Sequence, residues 1–382
     1  MGLRQWIVAG WRKRGATAVL LLPLALPFAL AVNVRRWAYR RGWLSSVRLP
    51  TPVVVVGNIT AGGSGKTPLV LYLAQELARR GWRPGIVSRG YGGNAVGVEA
   101  VSGASDPARV GDEPLLLARR AGCPVFIGRD RVAAARALLA AHPDRNVLIA
   151  DDGLQHLRLA RDVEIVVMDA RGIGNGWPLP AGPLRECPGR IAEADALVLN
   201  GDAVAPPPVQ ARNVFRMTLA GDRFASVSDP RRTCGAADLR GGRLHALAGI
   251  GAPARFFRQI EGMGLRAQTH AFPDHHRFQP SDLAFPDADA LLMTEKDAVK
   301  CKLFAPPQAW ALVVDAQLDP DLAQWVADSL PPSPLPGEGG DGGSQAAPAQ
   351  RRDEGDGLPP GPLPKEGGDG GSRAAPAQRM SG

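Results

Sequence analysis

The segment at residues 56–68, VGNITAGGSGKTP, has the composition of a phosphate-binding loop. Its glycines allow successive backbone N–H groups to point at one anion, and the N-terminus of a following helix adds partial positive charge. Lys66 is placed to reach the β- and γ-phosphates of a nucleotide, and the Thr67 hydroxyl to bind Mg²⁺. We therefore expect ATP and Mg²⁺ as cofactors, with a nucleotide site made by Thr60, Ala61, Gly62, Gly63, Ser64, Gly65, Lys66 and Thr67.

Thr60 departs from the general pattern G-x-x-x-x-G-K-[ST], which has a glycine at this position. The context of the loop nevertheless supports the prediction. A run of valines precedes the loop, and Leu69, Val70, Leu73 and Leu77 recur at helical spacing after it. Strand, glycine loop and helix in this order are what a phosphate site requires. A glycine-rich turn without a ligand is the weaker interpretation.

Two aspartates, Asp151 and Asp152, follow another buried run at residues 146–150. At the carboxyl end of a strand beside a phosphate loop, such a carboxylate can hold Mg²⁺ or its water, and we assign Asp151 to the metal. The alternative is a pair that only caps the following turn. His156 lies about one turn onward and is a candidate for the same cleft.

Two further segments carry residue types that can act on a hydroxyl group. One is GDE, with Asp112 and Glu113 before a helix, which alone is an ordinary capping sequence. The other is PDHH, with His275 and His276, a pair that on its own is more often structural. Neither segment identifies an acceptor without the rest of the sequence.

A long loop rich in glycine and proline, GNGWPLPAGPLRE, occupies residues 174–186. Its sequence is too irregular for a core element, and it ends in a charged pair, Arg185 and Glu186. Because binding residues often lie on surface loops held by a rigid scaffold, we expect a substrate loop here.

The groups named above lie on a chain in which short apolar runs alternate with segments of helical pattern. Strands are predicted at residues 52–56, 84–88, 124–128, 146–150, 163–169 and 195–200. Continuous Val, Ile and Leu strands separated by helices indicate a parallel sheet. The predicted fold class is α/β: a P-loop NTPase-type parallel sheet with helices on both faces, a smaller C-terminal α/β unit and an N-terminal membrane-associated helix. The predicted domains are residues 1–49, 50–209, 210–330 and 331–382.

The net charge of +8 comes entirely from the N-terminal segment. The first 50 residues hold nine of the 45 Lys and Arg residues and no acidic residue, which leaves 36 basic against 37 acidic residues elsewhere. Nucleic-acid-binding domains have a basic stripe along the folded body, so we expect no nucleic-acid partner, and no obligate protein partner either. The four cysteines lack C-x-x-C spacing, which argues against a zinc or redox pair.

An uncharged apolar stretch runs through residues 16–32, with arginines and tryptophans on both sides. This make-up is typical of a segment held at an anionic membrane surface that faces the cytoplasm. As a helix the stretch is about 25 Å long, and its two prolines would kink it. We expect membrane anchoring by shallow insertion or a short span. The alternatives are a plain buried helix and a cleaved signal peptide, although export would separate the phosphate loop from cytosolic ATP.

The last fifty residues contain a repeat of low complexity. The sequence PLPGEGGDGGSQAAPAQR at residues 334–351 recurs with two changes at residues 362–379. Glycine, proline and alanine without large apolar residues cannot bury enough surface to offset the entropy of ordering the chain. We expect a disordered tail without catalytic residues.

Seven segments follow one another behind the apolar, basic N-terminus: GNITAGGSGKTP, SRGYGG, GDEPLLLA, DDGLQH, GNGWPLPAGPLRE, FPDHHRF and MTEKDAVK. In this combination the chain, over roughly residues 10–328, resembles the tetraacyldisaccharide 4'-kinase family of lipid A biosynthesis. The family's own loop has Ser or Thr where Thr60 stands. The resemblance implies ATP-dependent phosphorylation of the 4'-hydroxyl of a membrane-embedded tetraacylated disaccharide 1-phosphate, at the cytoplasmic face of the inner membrane.

The resemblance also implies roles for single residues. Asp112 would accept the proton of the sugar hydroxyl, and His275 would orient this carboxylate and tune its pKa. Glu113 would approach Mg²⁺ together with Thr67. The other implied residues are Arg89 and Tyr91, on a mobile loop over the nucleotide, and Asp151, Asp152, His156, Arg185 and Glu186, along the cleft toward metal and acceptor.

Two other classes of protein share part of this pattern. A P-loop switch ATPase or GTPase of the metal-chaperone or partitioning type would have the phosphate loop and the strand-end aspartates. The segment TEKD at residues 294–297 is similar to the base-reading N-K-x-D motif of GTPases only superficially, because its lysine is one place late. A membrane-tethered scaffold with structurally bound ATP is the non-enzymatic alternative.

Overall fold

The computed structural model describes residues 7, 8, 10, 11, 13–201 and 209–331. Trp6 and nearly all of the predicted tail lie outside these residues. One sheet of 13 strands runs through the described part of the chain. The strands are β1 (Val53–Gly57), β2 (Pro84–Ser88), β3 (Val98–Val101), β4 (Val125–Gly128), β5 (Val147–Asp151), β6 (Val163–Asp169), β7 (Ala196–Asn200), β8 (Val214–Ser226), β9 (Thr233–Gly235), β10 (Leu244–Ala248), β11 (Ala267–Ala271), β12 (Ala290–Thr294) and β13 (Ala309–Asp319).

Helices connect most of the strands. They are α1 (Ala16–Arg40), α2 (Lys66–Arg79), α3 (Pro107–Val110), α4 (Asp112–Arg120), α5 (Arg131–Ala141), α6 (Arg190–Glu193), α7 (Ala236–Leu239), α8 (Pro253–Gly262), α9 (Glu295–Cys301) and α10 (Leu322–Ser329), with a 3₁₀ turn at Pro280–Leu283. The apolar residues of α2 named from the sequence are all buried, as their helical spacing predicts.

The strand order is β11-β10-β12-β13-β8-β7-β6-β1-β5-β2-β4-β3, and β9 pairs with β8. The six strands predicted between residues 52 and 200 are all present and pair in parallel with one another. Every residue of β1, β2, β4, β5 and β7 is buried, as continuous apolar strands covered on both faces require. The predicted α/β class with a mostly parallel sheet is confirmed.

The long strand β8 joins the two halves of the sheet. It pairs in parallel with β7 on one side and antiparallel with β13 on the other. Its burial alternates along much of its length, in contrast to the continuously buried parallel strands. The predicted halves at residues 50–209 and 210–330 therefore share one sheet, and their existence as separate domains stays a prediction.

The N-terminal helix α1 is 25 residues long and contains both prolines, Pro23 and Pro27. It is the one described helix that is long and apolar enough to cross a membrane. A single stripe of the helix packs against the rest of the protein, while other residues, such as Leu20 and Leu24, are 71% and 62% exposed. Interpretation as a plain buried helix is therefore wrong. The stripe consists of the buried Ala18, Ala25 and Arg36 and the half-buried Leu22, Ala29 and Val32.

Candidate active site

The glycine loop connects the end of β1 to the start of α2, and its backbone has the conformation that an anion cradle needs. Gly62 and Gly65 have φ angles of +104° and +93°, in the left-handed region that favours glycine. Lys66 is the first residue of α2, so the helix N-terminus follows the glycines directly. The partial positive charge of that terminus therefore adds to the loop N–H groups.

Thr60 is buried and belongs to a short backbone pairing between the phosphate loop and the glycine- and proline-rich loop. It forms a bridge with Leu184, the N–H of Ala61 donates to the carbonyl of Pro183, and the N–H of Arg185 donates to the carbonyl of Ile59. The two hydrogen bonds are 2.8 and 2.7 Å long. The loop predicted to bind substrate is therefore fixed directly to the loop predicted to bind nucleotide.

Lys66 lies among polar side chains at the ends of parallel strands. Its Nζ is 3.2 Å from Asn58 Oδ1 and 3.5 Å from Asp152 Oδ1. Asp152 also accepts from Arg185, at 3.1 Å. Burial acts to raise the pKa of Asp152, but the charges of Lys66 and Arg185 outweigh burial and lower it. The structure thus brings together three of the predicted cleft residues.

Asp151 is the last residue of β5 and is fully buried beside the phosphate loop. Its Oδ2 accepts from the Ser88 hydroxyl at 3.0 Å. Burial, followed by the charges of Glu113 and Asp152, raises the pKa of Asp151 to about 7. A carboxylate in this position binds a divalent cation favourably, because the cation compensates for burial and for the neighbouring negative charges.

Asp112 and His275 come together from opposite halves of the sheet. Asp112 is the first residue of α4 and buried, and its Oδ2 lies 3.2 Å from His275 Nδ1. His276 contacts Asp282 instead, at 2.9 Å. Burial acts to raise the pKa of Asp112, but the contact with His275 and the charge of Lys296 lower it. The carboxylate is therefore ionised at neutral pH.

The backbone is strained at two points of this cleft. Asp152 and His275 have φ angles of 48° and 61°, and they are the only non-glycine residues with positive φ in the described part of the chain. Such conformations cost about 1–3 kcal/mol each and concentrate at functional sites. Both residues hold charged or titratable side chains against Lys66 and Asp112, respectively.

The segment SRGYGG packs against Asp112 and His275. The Tyr91 ring meets the His275 ring edge-on, with centroids 5.4 Å apart. The backbone of Tyr91 is so close to Gly111, just before Asp112, that a Cβ on Gly111 would lie 2.4 Å from the Tyr91 carbonyl oxygen. This contact explains the glycine of GDE, which also has a φ of +92°. Arg89 is exposed.

Lys296 is a member of this site that the sequence analysis missed. Its Nζ lies 2.8 Å from Glu113 Oε1 and 3.8 Å from Asp112 Oδ2. Burial acts to lower the pKa of Lys296, but the charges of Glu113 and Asp112 raise it. The available signal was its position: Lys296 belongs to MTEKD, which leads from the end of a buried strand into a helix, as the phosphate loop does.

Two predicted cleft residues have their contacts elsewhere. His156 lies 3.8 Å from Asp130, and burial together with the charge of Arg131 lowers its pKa to about 4. Glu186 is buried, accepts from Gln155 at 2.8 Å, and lies 3.3 Å from Arg36 of α1. Glu186 therefore connects the cleft wall to the N-terminal helix.

The residues present fit a nucleotide with Mg²⁺. Buried in the cleft, Ser64 Oγ and Asp151 Oδ1 have no hydrogen-bond partner among the described residues. Thr67, Glu113 and Asp151 offer the oxygen ligands that Mg²⁺ prefers, with phosphate oxygens and water completing its shell. Buried polar atoms are normally satisfied, so an unpaired hydroxyl and carboxylate oxygen here are consistent with a bound ligand.

Known proteins are similar in sequence to most of this chain. Residues 17–331 match the family model described as tetraacyldisaccharide-1-P 4'-kinase. Tetraacyldisaccharide 4'-kinases of Azoarcus sp. (strain BH72) and Dechloromonas aromatica (strain RCB) are 53% and 52% identical, over 84% and 86% of this chain and 94% and 98% of their own lengths.

A solved structure has the same fold. It is LpxK from Aquifex aeolicus in complex with ATP, which is 30% identical and superposes with a TM-score of 0.73. The match covers 82% of this chain and 99% of that structure. Taken with the full-length relatives, these matches show that the chain belongs to the tetraacyldisaccharide 4'-kinase family.

Proposed function

We propose that this chain transfers the γ-phosphoryl group of ATP to the 4'-hydroxyl of tetraacyldisaccharide 1-phosphate in lipid A biosynthesis. The observation that carries the proposal is the contact between Asp112 and His275 at the nucleotide cleft, in a chain of this family. An alcohol is a poor nucleophile, so a carboxylate within reach of its proton raises the rate of phosphoryl transfer.

Asp112 accepts the proton of the sugar hydroxyl in this proposal, and His275 positions it. Oδ1 of Asp112 accepts the N–H of Glu113 at 3.2 Å, while Oδ2 faces His275 and Lys296. The lowered pKa of Asp112 keeps it ionised and ready to accept a proton, at the cost of some basicity. The His275 ring is held by its contacts with Asp112 and Tyr91, and the strained backbone at this residue persists only because the surrounding structure over-determines its position.

The phosphate loop, with Lys66, holds the ATP phosphates, and Thr67, Glu113 and Asp151 hold Mg²⁺. When bound, Mg²⁺ neutralises charge on the phosphates and orients them for transfer. Lys66 lies within 3.5 Å of Asn58 and Asp152, and in this proposal its ammonium group turns from these partners to a phosphate oxygen. Arg89 and Tyr91 lie over the nucleotide in this proposal.

The acceptor approaches along the loop at residues 174–186 in this proposal. Near the end of that loop, Arg185 forms an ion pair with Asp152, which also contacts Lys66. Arg185 thus supplies positive charge next to the reacting groups. The loop also contacts the N-terminal segment, because Trp11 Nε1 donates to the Pro180 carbonyl at 2.9 Å. A lipid substrate held at the membrane surface would thus meet the nucleotide through one continuous wall.

The exposed face of α1 binds the inner membrane from the cytoplasmic side in this proposal. Leu20, Leu24 and Leu30 are each more than 60% exposed, while Trp43, arginines and Trp37 lie at the C-terminal end of the helix. Apolar side chains on one face with aromatic and basic residues at the end suit insertion at an anionic lipid surface.

Transfer of labelled γ-phosphate to tetraacyldisaccharide 1-phosphate in detergent micelles tests the proposed reaction. Labelled lipid is the expected product, and its formation should require Mg²⁺. Release of free phosphate without labelled lipid would instead support a nucleotide switch, and absence of any turnover would support a scaffold. Either result contradicts the proposed function.

Substitution on the exposed face of α1 tests the membrane proposal. Leu20→Glu combined with Leu24→Glu should move the protein from the membrane pellet to the supernatant, since a charge costs up to about 2.5–3.5 kcal/mol at the centre of the lipid layer. Leu303→Glu is the control, because Leu303 is 98% exposed on another part of the protein. An unchanged membrane fraction in the double variant would exclude insertion of this face.

A further inference from the structure

Three successive carbonyl groups of the phosphate loop are each bound by a side chain from the end of a neighbouring strand. Asn58 Nδ2 donates to the Gly62 carbonyl at 3.2 Å. Arg171 Nη2 donates to the Gly63 carbonyl at 2.7 Å, and Asn200 Nδ2 donates to the Ser64 carbonyl at 2.8 Å. We name Asn58, Arg171 and Asn200 the carbonyl clamp.

Because the peptide unit is planar, a contact that fixes a carbonyl group also fixes the direction of the next N–H group. In a trans peptide, the N–H points opposite to the C=O of the same unit. Fixing the three carbonyl groups toward the clamp therefore turns the next three N–H groups, those of Gly63, Ser64 and Gly65, toward the other side of the loop. Convergent N–H groups of this kind form an anion-binding concavity.

We propose that the carbonyl clamp positions the phosphate loop, so that its side chains set nucleotide affinity without touching the phosphates. The proposal rests on the proposed function in so far as ATP is the ligand of this loop. Of the three clamp residues, sequence analysis identified none, since only Asn58 lies near the glycine motif and the other two belong to β7 and to the turn after β6.

Asn200 is the most restrained member of the clamp. It ends β7 and is 2% exposed. Its Oδ1 accepts from Arg255 of α8 at 3.4 Å, which orients the amide so that Nδ2 faces the loop. The approach is so close that a Cβ on Gly65 would lie 2.2 Å from Asn200 Nδ2, and the glycine is therefore required by contact as well as by its φ angle.

The other two members are fixed in place as well. Arg171 is held by Asp169 at the end of β6, with Nε 3.0 Å from both carboxylate oxygens. Asn58 uses its Oδ1 to bind Lys66 at 3.2 Å, so that one side chain orients both a loop carbonyl and the phosphate-binding lysine. Each clamp residue thus has a second partner within the protein that orients it toward the loop, which limits the ordering cost of nucleotide binding.

Calorimetric titration of ATP and ADP into matched variants tests the clamp. Asn200→Asp replaces the donor by an oxygen facing the Ser64 carbonyl, and nucleotide affinity should fall roughly tenfold or more. Arg171→Lys keeps the charge but replaces the planar guanidinium, which contacts Asp169 through two nitrogens while it donates to the Gly63 carbonyl, by a single flexible ammonium group, and it should also weaken binding. The KM for ATP should rise more than kcat falls, as expected for lost uniform binding.

Asn213→Asp is the control, since Asn213 Nδ2 makes the same kind of bond, 2.8 Å long, to the Asp195 carbonyl away from the loop. It should keep wild-type affinity. Equal affinity in Asn200→Asp and wild type, or an equal loss in all three variants, would overturn the clamp. If Asn200→Asp fails to fold, Arg171→Lys decides, because Arg171 is 54% exposed. Failure of the wild-type protein to bind ATP would count against the proposed function instead.

Discussion

The phosphate loop and the Asp112–His275 contact are two parts of one site that are assembled in different ways. The loop is a continuous run of residues between one strand and one helix, and its glycines fix most of its shape. The second part joins α4 of the first half to the loop after β11 and to the start of α9, with Glu113 and Lys296 lying 183 positions apart in the chain.

In the proposed function, this difference separates binding from chemistry. The nucleotide is held by the loop, which the side chains at the ends of β1, β6 and β7 position, and all of these residues belong to the first half. The proposed proton acceptance requires both halves to be packed correctly, because His275 and Lys296 reach Asp112 and Glu113 from the other half of the sheet. Changes in the second part should therefore lower turnover and leave nucleotide affinity largely intact.

Asp112→Ala should have the largest effect of any substitution in the second part. Loss of the proton acceptor is expected to lower turnover by about three orders of magnitude. His275→Ala should lower turnover by a similar or slightly smaller factor, because the carboxylate loses its partner. Labelled-phosphate transfer measures turnover, and calorimetry should show that ATP still binds to both variants.

His276→Gln is the matched control for His275. Its ring contacts Asp282 rather than Asp112, so turnover should stay near the wild-type value. A near-normal rate in Asp112→Ala or in His275→Ala would contradict the assignment of the base and its partner. Equal losses in the two histidine variants would indicate that both substitutions disturb the packing of the segment that carries them, and not a specific role for His275.

Lys296→Met should have an intermediate effect. Removing the ammonium group leaves Glu113 and Asp112 without their shared cation, and we expect turnover to fall about 10- to 100-fold, the usual loss for a charged hydrogen-bond partner. The response to Mg²⁺ concentration should change as well, because Glu113 is the proposed metal ligand. Lys302→Met, at the exposed end of the same helix, is the control. Identical rates and Mg²⁺ dependence in the two variants would exclude a role for Lys296.

The smallest expected effect concerns His156, which should change the pH dependence of stability and not the rate of the reaction. Its pKa is lowered to about 4 in the folded protein, against about 6.5 in an unfolded chain. Between these values the unfolded chain binds the extra proton, so stability falls as pH decreases below 6.5. The wild-type protein should lose about 2 kcal/mol between pH 7 and pH 5 from this group, and His156→Gln should lack this loss. Urea unfolding at the two pH values measures the difference, and identical pH dependence would disprove it.

Sequence analysis was most successful where structure depends on neighbours in the chain. The glycine loop, the helix beginning at Lys66 and the six parallel strands follow from local pattern, because buried parallel strands are continuously apolar. The long strand β8 was missed. Its sequence contains Gly221 and Asp222, which indicate a turn, and its strand conformation depends on pairing with β13 almost 100 residues later.

The same limit applies to the site. Asp112 and His275 could be paired only through the resemblance to a family, since neither residue alone distinguishes a catalytic group from a cap or a structural histidine. Lys296 lies in the segment MTEKDAVK, which gave it no role by itself, and the clamp residue Asn200 lies in no motif; the contacts of both residues arise from elements that lie side by side only after folding. Glu186 shows the converse case, because its motif position suggested the metal side of the cleft while its observed partners include Arg36 of α1.

If α1 binds a membrane as proposed, the ion pairs of Arg36 also affect how the protein searches the bilayer. Arg36 is bonded to Glu193 and lies 3.3 Å from Glu186, the residue after Arg185. A helix on a flexible tether would leave the cleft free to face in any direction. With α1 joined to the cleft wall, a membrane that holds the helix also fixes the tilt and height of the phosphate loop. Encounter with a lipid headgroup then becomes a two-dimensional search at a constant orientation.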